Sequence, residues 1–167
     1  MMKKSLKVVI AALMVVVCMA GCGKEQDELL EYINGDARKE VAELEAKAKD
    51  SFLSVSGDNY KDDETMLQEF STNTADLAKQ VVDKAAALGE KLEGEELKKV
   101  HEVYVNSLKN FQSGVDQTVK ALKDGDTDLA SQAADMISKA NEEASNYEEK
   151  LKKLAEDLDV ELKGLEK

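Results

Sequence analysis

His101 is the only imidazole in the chain, so acid–base or metal chemistry would have to start there. It stands beside Val100, with Glu102 next to it and Tyr104 one turn on. Iron sites inside helical bundles pair a Glu and a His three residues apart on one helix face, with carboxylates facing inward from neighbouring helices. The residue three before His101 is Lys98, and no acid falls on the apolar stripes traced below. The spacing therefore predicts a flanking surface histidine and no ligand set. The densest polar chemistry is acidic: Asp58, Asp62, Asp63 and Glu64 share one stretch and Asp124, Asp126 and Asp128 another, with only Lys61 and Lys123 among them. Asp124, Asp126 and Asp128 match the first three ligand positions of a calcium loop, but Leu129 stands where Gly is required and Asp135 where Glu is expected. Helix caps and dipole partners account for most of these acids. A low-affinity calcium site built from Asp58, Asp62, Asp63, Asp124, Asp126 and Asp128 is the alternative. Tyr60, an aromatic among these charges, is expected either to cover the end of the fold or to anchor a partner.

No Gly-rich phosphate loop, Gly-x-Ser-x-Gly elbow or His-Glu-x-x-His helix occurs, and the hydroxyl residues have no imidazole at helical spacing. The chain is read as non-catalytic. There are 23 basic and 35 acidic residues, and Arg38 is the only arginine. That balance excludes a nucleic-acid surface, which needs a basic stripe and forked guanidinium donors.

The N-terminal segment places the protein. Lys3, Lys4 and Lys7 precede an apolar run that extends at most from Val8 to Ala20, 13 residues. A span of about 30 Å of hydrocarbon needs about 20, so the run is read as a secretory signal. Met19-Ala20-Gly21-Cys22 resembles the lipobox of bacterial lipoproteins, with Met in the position usually held by Leu. The resemblance implies cleavage before Cys22 and a diacylglycerol-type lipid, with palmitate-like chains, on its sulfur. Residues 1–21 are then signal peptide, 22–26 a lipidated cysteine with a short tether, and 27–167 the domain. With Cys18 removed and Cys22 lipidated, the domain has no free thiol, disulfide or Cys-based metal site. Without Lys3, Lys4 and Lys7 the balance becomes 20 basic to 35 acidic residues, a net charge of −15.

The elements that position these residues are helical. Absence of Pro and Trp, and apolar residues recurring at three- and four-residue steps, predict long helices and an all-α fold. One stripe runs Leu30, Ile33, Ala37, Val41, Leu44, Ala48, Phe52, Val55, crossing a weak point at Asn34-Gly35-Asp36. A second runs Leu67, Phe70, Thr74, Leu77, Val81, Ala85, Leu88, Leu92, and a third Leu97, Val100, Tyr104, Leu108, Phe111, Val115, Val119, Leu122. The fourth extends from Leu129 through Tyr147 to Leu165. Short connections predict an antiparallel up-down-up-down four-helix bundle. The fourth helix, expected over 128–163, should overhang the third by about two turns. Leu158, Leu162 and Leu165 would then form a partner seam or close onto Leu29, Leu30 and Ile33.

Cys22-Gly23-Lys24, Leu30-Glu31-Tyr32-Ile33-Asn34, Asn59-Tyr60-Lys61-Asp62-Asp63 and Leu97 to Tyr104 are similar to segments of small helical lipoproteins of Gram-positive bacteria that carry an uncharacterised domain. The resemblance implies the fold and a lipid anchor on the extracytoplasmic face of the cell membrane. It carries no activity and no site residue besides Cys22. The expected partners are the membrane, through the lipid, and another envelope protein.

Overall fold

The structure is a computed structural model and describes residues 15–18 and 23–163. The protein is all-α in its body. Helices α1 (Lys24–Asn34), α2 (Asp36–Ser54), α3 (Asp63–Glu69), α4 (Ala75–Gly89), α5 (Glu95–Asp124) and α6 (Thr127–Asp157) carry the core. Among the described residues the strands are β1 (Val15–Cys18) and β2 (Val160–Lys163), paired antiparallel with Val15 opposite Lys163.

The first expected helix is two. Gly35 breaks it: its N–H donates to the Glu31 carbonyl at 2.7 Å, and its own carbonyl accepts from Arg38 and Lys39 to begin α2. A Cβ at Gly35 would collide with the Glu31 backbone oxygen, so only glycine fits here. The break changes which residues face inward. Leu29, Tyr32 and Ile33 are the buried residues of α1, and Arg38, Val41, Glu45, Ala48 and Phe52 those of α2. Leu30, Ala37 and Leu44, placed on the stripe by periodicity, are only half-buried. Helix α1 also begins at Lys24, inside the segment expected to be tether, with Gly23 as its N-cap.

The second expected helix is interrupted by a π turn at Phe70–Thr74. The wide turn loosens the preceding carbonyls, and hydroxyls meet them: Ser71 Oγ donates to Leu67 O, and Thr72 Oγ1 donates to Gln68 O at 2.8 Å. Thr74 is fully buried and lies 2.7 Å from Ser51 Oγ. Ser51 gives its single proton to Glu69 Oε1 at 2.6 Å, so Thr74 donates to Ser51. This small polar chain ties α3 and the π turn to α2.

Helices α5 and α6 match the expected stripes, and their side-chain partners show them antiparallel. Tyr104 stacks on Tyr147 at 4.8 Å between ring centroids, Ser107 Oγ donates to Ala140 O at 2.9 Å, and Asn110 meets Glu143. Their connection relies on Gly125 in the left-handed region (φ 66°) and on Asp126, whose carboxylate accepts from the N–H groups of Asp128 and Leu129. Helix α6 ends at Asp157, not near residue 163, because Asp159 takes φ 53° and turns the chain into β2. With α5 at 30 residues and α6 at 31, no overhang exists. Leu158 and Leu162 instead lie half-buried against the core cluster that contains Leu29 and Ile33, which is the closing alternative; Leu165 lies outside the described residues.

Gly114 sets the α5–α6 spacing: a Cβ there would stand 2.6 Å from Ile137 Cγ1 and 3.1 Å from the Ala133 carbonyl. Alanine in a helix is ordinarily favoured over glycine by about 1 kcal/mol, but overpacking costs about 1–3 kcal/mol and backbone cannot yield as a side chain does. Gly114→Ala is expected to lower stability in urea unfolding despite its helix propensity. Asp126→Ala, which removes a cap, should cost about 1 kcal/mol in the same measurement.

Candidate functional site

Six polar side chains from four helices meet inside the core: Tyr32 of α1, Arg38 and Glu45 of α2, His101 and Tyr104 of α5, and Tyr147 of α6. Arg38 and Glu45 are seven residues apart, two helical turns, and so share one face. Arg38 Nη1 donates to Glu45 Oε2 at 3.2 Å and to Tyr104 Oη at 3.0 Å, and its guanidinium lies 4.8 Å from the centre of the Tyr104 ring. Arg38 is 8% exposed and Glu45 7%. The Glu45 carboxylate and the Tyr104 hydroxyl thus meet on one guanidinium nitrogen.

On the other side of the stacked tyrosines, one acceptor fixes the protons. His101 Nε2 lies 2.8 Å from the Ala85 carbonyl, which can only accept, so Nε2 carries hydrogen. In the neutral ring Nδ1 is then an acceptor, and it takes the Tyr32 hydroxyl proton at 3.0 Å. The Tyr32 oxygen in turn accepts from Tyr147 at 3.0 Å. The ring reaches Ala85 because Gly89 has no Cβ; one placed there would stand 2.6 Å from His101 Cδ2.

Burial raises the Tyr32 and Tyr104 hydroxyls well above their ordinary value and also raises Tyr147, so all three remain protonated donors at neutral pH. Burial raises Glu45, with Arg38 pulling the other way. Burial opposes the Arg38 charge, but Tyr104, Tyr147, Glu45 and Tyr32 outweigh it. Burial lowers His101; the Ala85 carbonyl opposes this, Arg38 adds to it, and Glu102 opposes it.

These findings correct two readings of the sequence. His101 is 3% exposed and is a core residue, not a surface one. The apolar stripes also carry an inward acid, Glu45, and an inward cation, Arg38. The edge of His101 lines a groove of about 420 Å³ between α4 and α5, with Gly89, Glu90, Lys98, Glu102 and Lys109 around it.

The remaining candidates lie at the two ends. Asp62 caps α3 by accepting from Thr65 N at 2.7 Å, Asp126 caps α6, and Asp63 accepts the Tyr60 hydroxyl at 2.8 Å. Asp58 lies in a 3-10 turn, Asp124 ends α5 and Asp128 opens α6. Among the described residues no three His, Cys, Asp or Glu side chains come together as a group able to hold a metal ion. Tyr60 is 47% exposed and is the one large hydrophobic side chain exposed among the described residues. Cys22 lies outside the described residues. At the opposite pole Glu28 accepts from the N–H groups of Glu93 and Gly94, Lys24 pairs with Glu93 at 2.6 Å, and Gln26 donates to Leu158 O. The start of α1, the Gly94 turn and the end of α6 therefore meet at this pole, away from the distal pole that carries Tyr60.

Removing one partner of a buried ion pair strands the other, at a cost of about 3–5 kcal/mol, whereas an apolar replacement of both is often neutral. Glu45→Ala is expected to lose that amount in urea unfolding, and the double variant Arg38→Met, Glu45→Leu to recover most of it. A loss under about 1 kcal/mol for Glu45→Ala would show that Arg38 does not depend on its carboxylate.

Compared with protein-family models, curated proteins and solved structures, the chain matches none. No helix among the described residues is long and apolar enough to cross a membrane.

Proposed function

We propose that the protein is a lipid-anchored, extracytoplasmic membrane lipoprotein whose domain is a non-catalytic helical bundle that binds another envelope protein or serves a structural role. In this reading α1 with α2, α3 with α4, α5 and α6 form the four rods of an up-down-up-down antiparallel bundle. The observation that carries it is the lipobox Met19-Ala20-Gly21-Cys22, followed after one glycine by the first turn of α1. The docking of that turn against Glu93, Gly94 and Leu158 supports a bundle standing with this pole toward the membrane.

A non-catalytic role is supported by the core network. The single imidazole is engaged at both nitrogens, and no buried side-chain atom of the six residues lacks a partner. The distal pole, where Tyr60 is exposed, is the end free to meet a partner.

Intact-protein mass spectrometry of the membrane fraction should find a chain beginning at Cys22 and carrying a diacylglycerol mass. Cys22→Ser should abolish that modification and move the protein out of the washed membrane pellet. An unmodified Cys22 in membranes would defeat the reading.

A further inference from the structure

We propose that α1 is a pH-operated latch: protonation of His101 breaks its hydrogen bond with Tyr32 and releases α1 from the rest of the domain about the Gly35 break. The latch goes beyond the anchoring reading and stands or falls without it.

The argument begins with proton order. Because the Ala85 carbonyl holds hydrogen on Nε2, an added proton must go to Nδ1, 3.0 Å from the Tyr32 hydroxyl that now donates to it. Two donors then face each other. Tyr32 could accept only by turning its proton toward Tyr147, which already points its own proton at Tyr32. Among the described residues the Tyr147 hydroxyl hydrogen-bonds to Tyr32, so turning its proton away gives up that bond with no replacement in place. The row cannot simply reverse, so it must break. It breaks at Tyr32, because Tyr32 stands on the short helix α1 whereas Tyr147 and His101 stand on the long helices α6 and α5.

Helix α1 has 11 residues, below the length at which an isolated helix holds itself. It is joined to α2 through Gly35, whose extended ψ of 155° interrupts the helix. Leu29, Tyr32 and Ile33 are its buried side chains and Tyr32 is its polar contact with the centre of the core; Lys24, Gln26 and Glu28 hold its first turn at Glu93, Leu158 and Gly94, groups that water can satisfy when the helix leaves. By contrast α5 and α6 interlock along about thirty residues each.

The groups facing His101 favour the neutral ring on the inner side. From α2 comes the Arg38 cation, with Glu45 already paired to it; from α1 and α6 come Tyr32 and Tyr147; from α5, Tyr104. Glu102, Lys98 and Lys109 of α5, together with Glu90 just past α4, lie on the solvent side around the groove. That groove meets the Cδ2 side of the ring beside Gly89; Nδ1 faces Tyr32 and takes its proton as α1 opens.

The direction of the pH effect follows. Burial lowers His101 below its ordinary value in the docked state, and departure of α1 opens the Nδ1 side of the ring to water and relieves part of that burial. The undocked state therefore binds the extra proton more readily. The contribution of neutral His101 to docking is complete above the undocked value and is lost as pH falls through the window between it and the lower docked value.

Hydrogen–deuterium exchange of the full chain in detergent, with rates corrected for intrinsic pH dependence, tests the latch. From pH 7.5 to 5.5 the opening constant of the 29–34 amides should rise, by up to about tenfold per pH unit at its steepest, while α5 and α6 hold steady. His101→Gln, which cannot take the proton, should give a flat profile. Tyr32→Phe, which keeps the ring but not the hydroxyl, should open α1 more at pH 7.5 and respond less to acid. NMR titration of the imidazole should give the same midpoint as the opening. No rise, a rise shared equally by α5 and α6, or a rise retained in His101→Gln overturns the latch.

Discussion

A guanidinium in the middle of a helical core is the constraint from which the rest of the interior follows. Arginine does not lose its proton in a protein, so the positive charge of Arg38 has to be answered where it stands. Glu45 answers it in charge, the Tyr104 oxygen in hydrogen bonding, and the face of the Tyr104 ring through its quadrupole. Once Tyr104 is held, Tyr147 stacks on it and its hydroxyl is aimed at Tyr32, which passes the pattern on to His101. The far end is pinned by a single backbone oxygen, that of Ala85. The network thus runs from a fixed charge to a fixed acceptor, and neither end is free to change.

The two ends of the domain are closed by different means. At the distal pole the acids are spent on the backbone: Asp62 and Asp126 cap helices, and Asp63 holds the Tyr60 hydroxyl. A second small core there gathers Phe52, Val55, Phe70, Val115 and Ile137, with Phe52 and Phe70 stacked at 5.2 Å. At the other pole a side chain of α1 does what a cap residue would do. Glu28 takes the N–H groups of Glu93 and Gly94 at the positive end of the α5 dipole, so the first helix completes the third turn of the fold.

Where the three-four spacing ran unbroken, in α5 and most of α6, the sequence announced the structure directly. It misled at α2, where a hydropathy pattern puts Ala37 and Leu44 inward and Arg38 and Glu45 outward. The signal that would have corrected it was present: the only arginine lies two turns from a glutamate of opposite charge, and three of the four tyrosines fall near the same level of the bundle. The break at Gly35 was visible as a weak point because Asn-Gly-Asp favours a turn. The π turn is not, since Phe70 and Thr74 keep helical spacing and the added residue shows only in the burial of Ala78 in place of Leu77 and of Val82 beside Val81. Spacing puts His101 at the margin of the third stripe, and what holds it inward, the Tyr32 hydroxyl of α1 and the Ala85 carbonyl of α4, leaves no mark in the sequence around it.

The placement of the tyrosines has an optical consequence. The chain has no tryptophan and four tyrosines, so its ultraviolet emission belongs to tyrosine alone. Three of those chromophores sit in the network, hydrogen-bonded to a histidine, to each other, or to a charged pair, and the fourth stands at the opposite end in solvent beside Asp63. Hydroxyl hydrogen bonding and ring stacking both govern how brightly a phenol emits. The protein therefore carries its own reporter, with three emitters reading the state of the interior and one supplying a surface reference, and no dye or added residue is needed to follow what the core is doing.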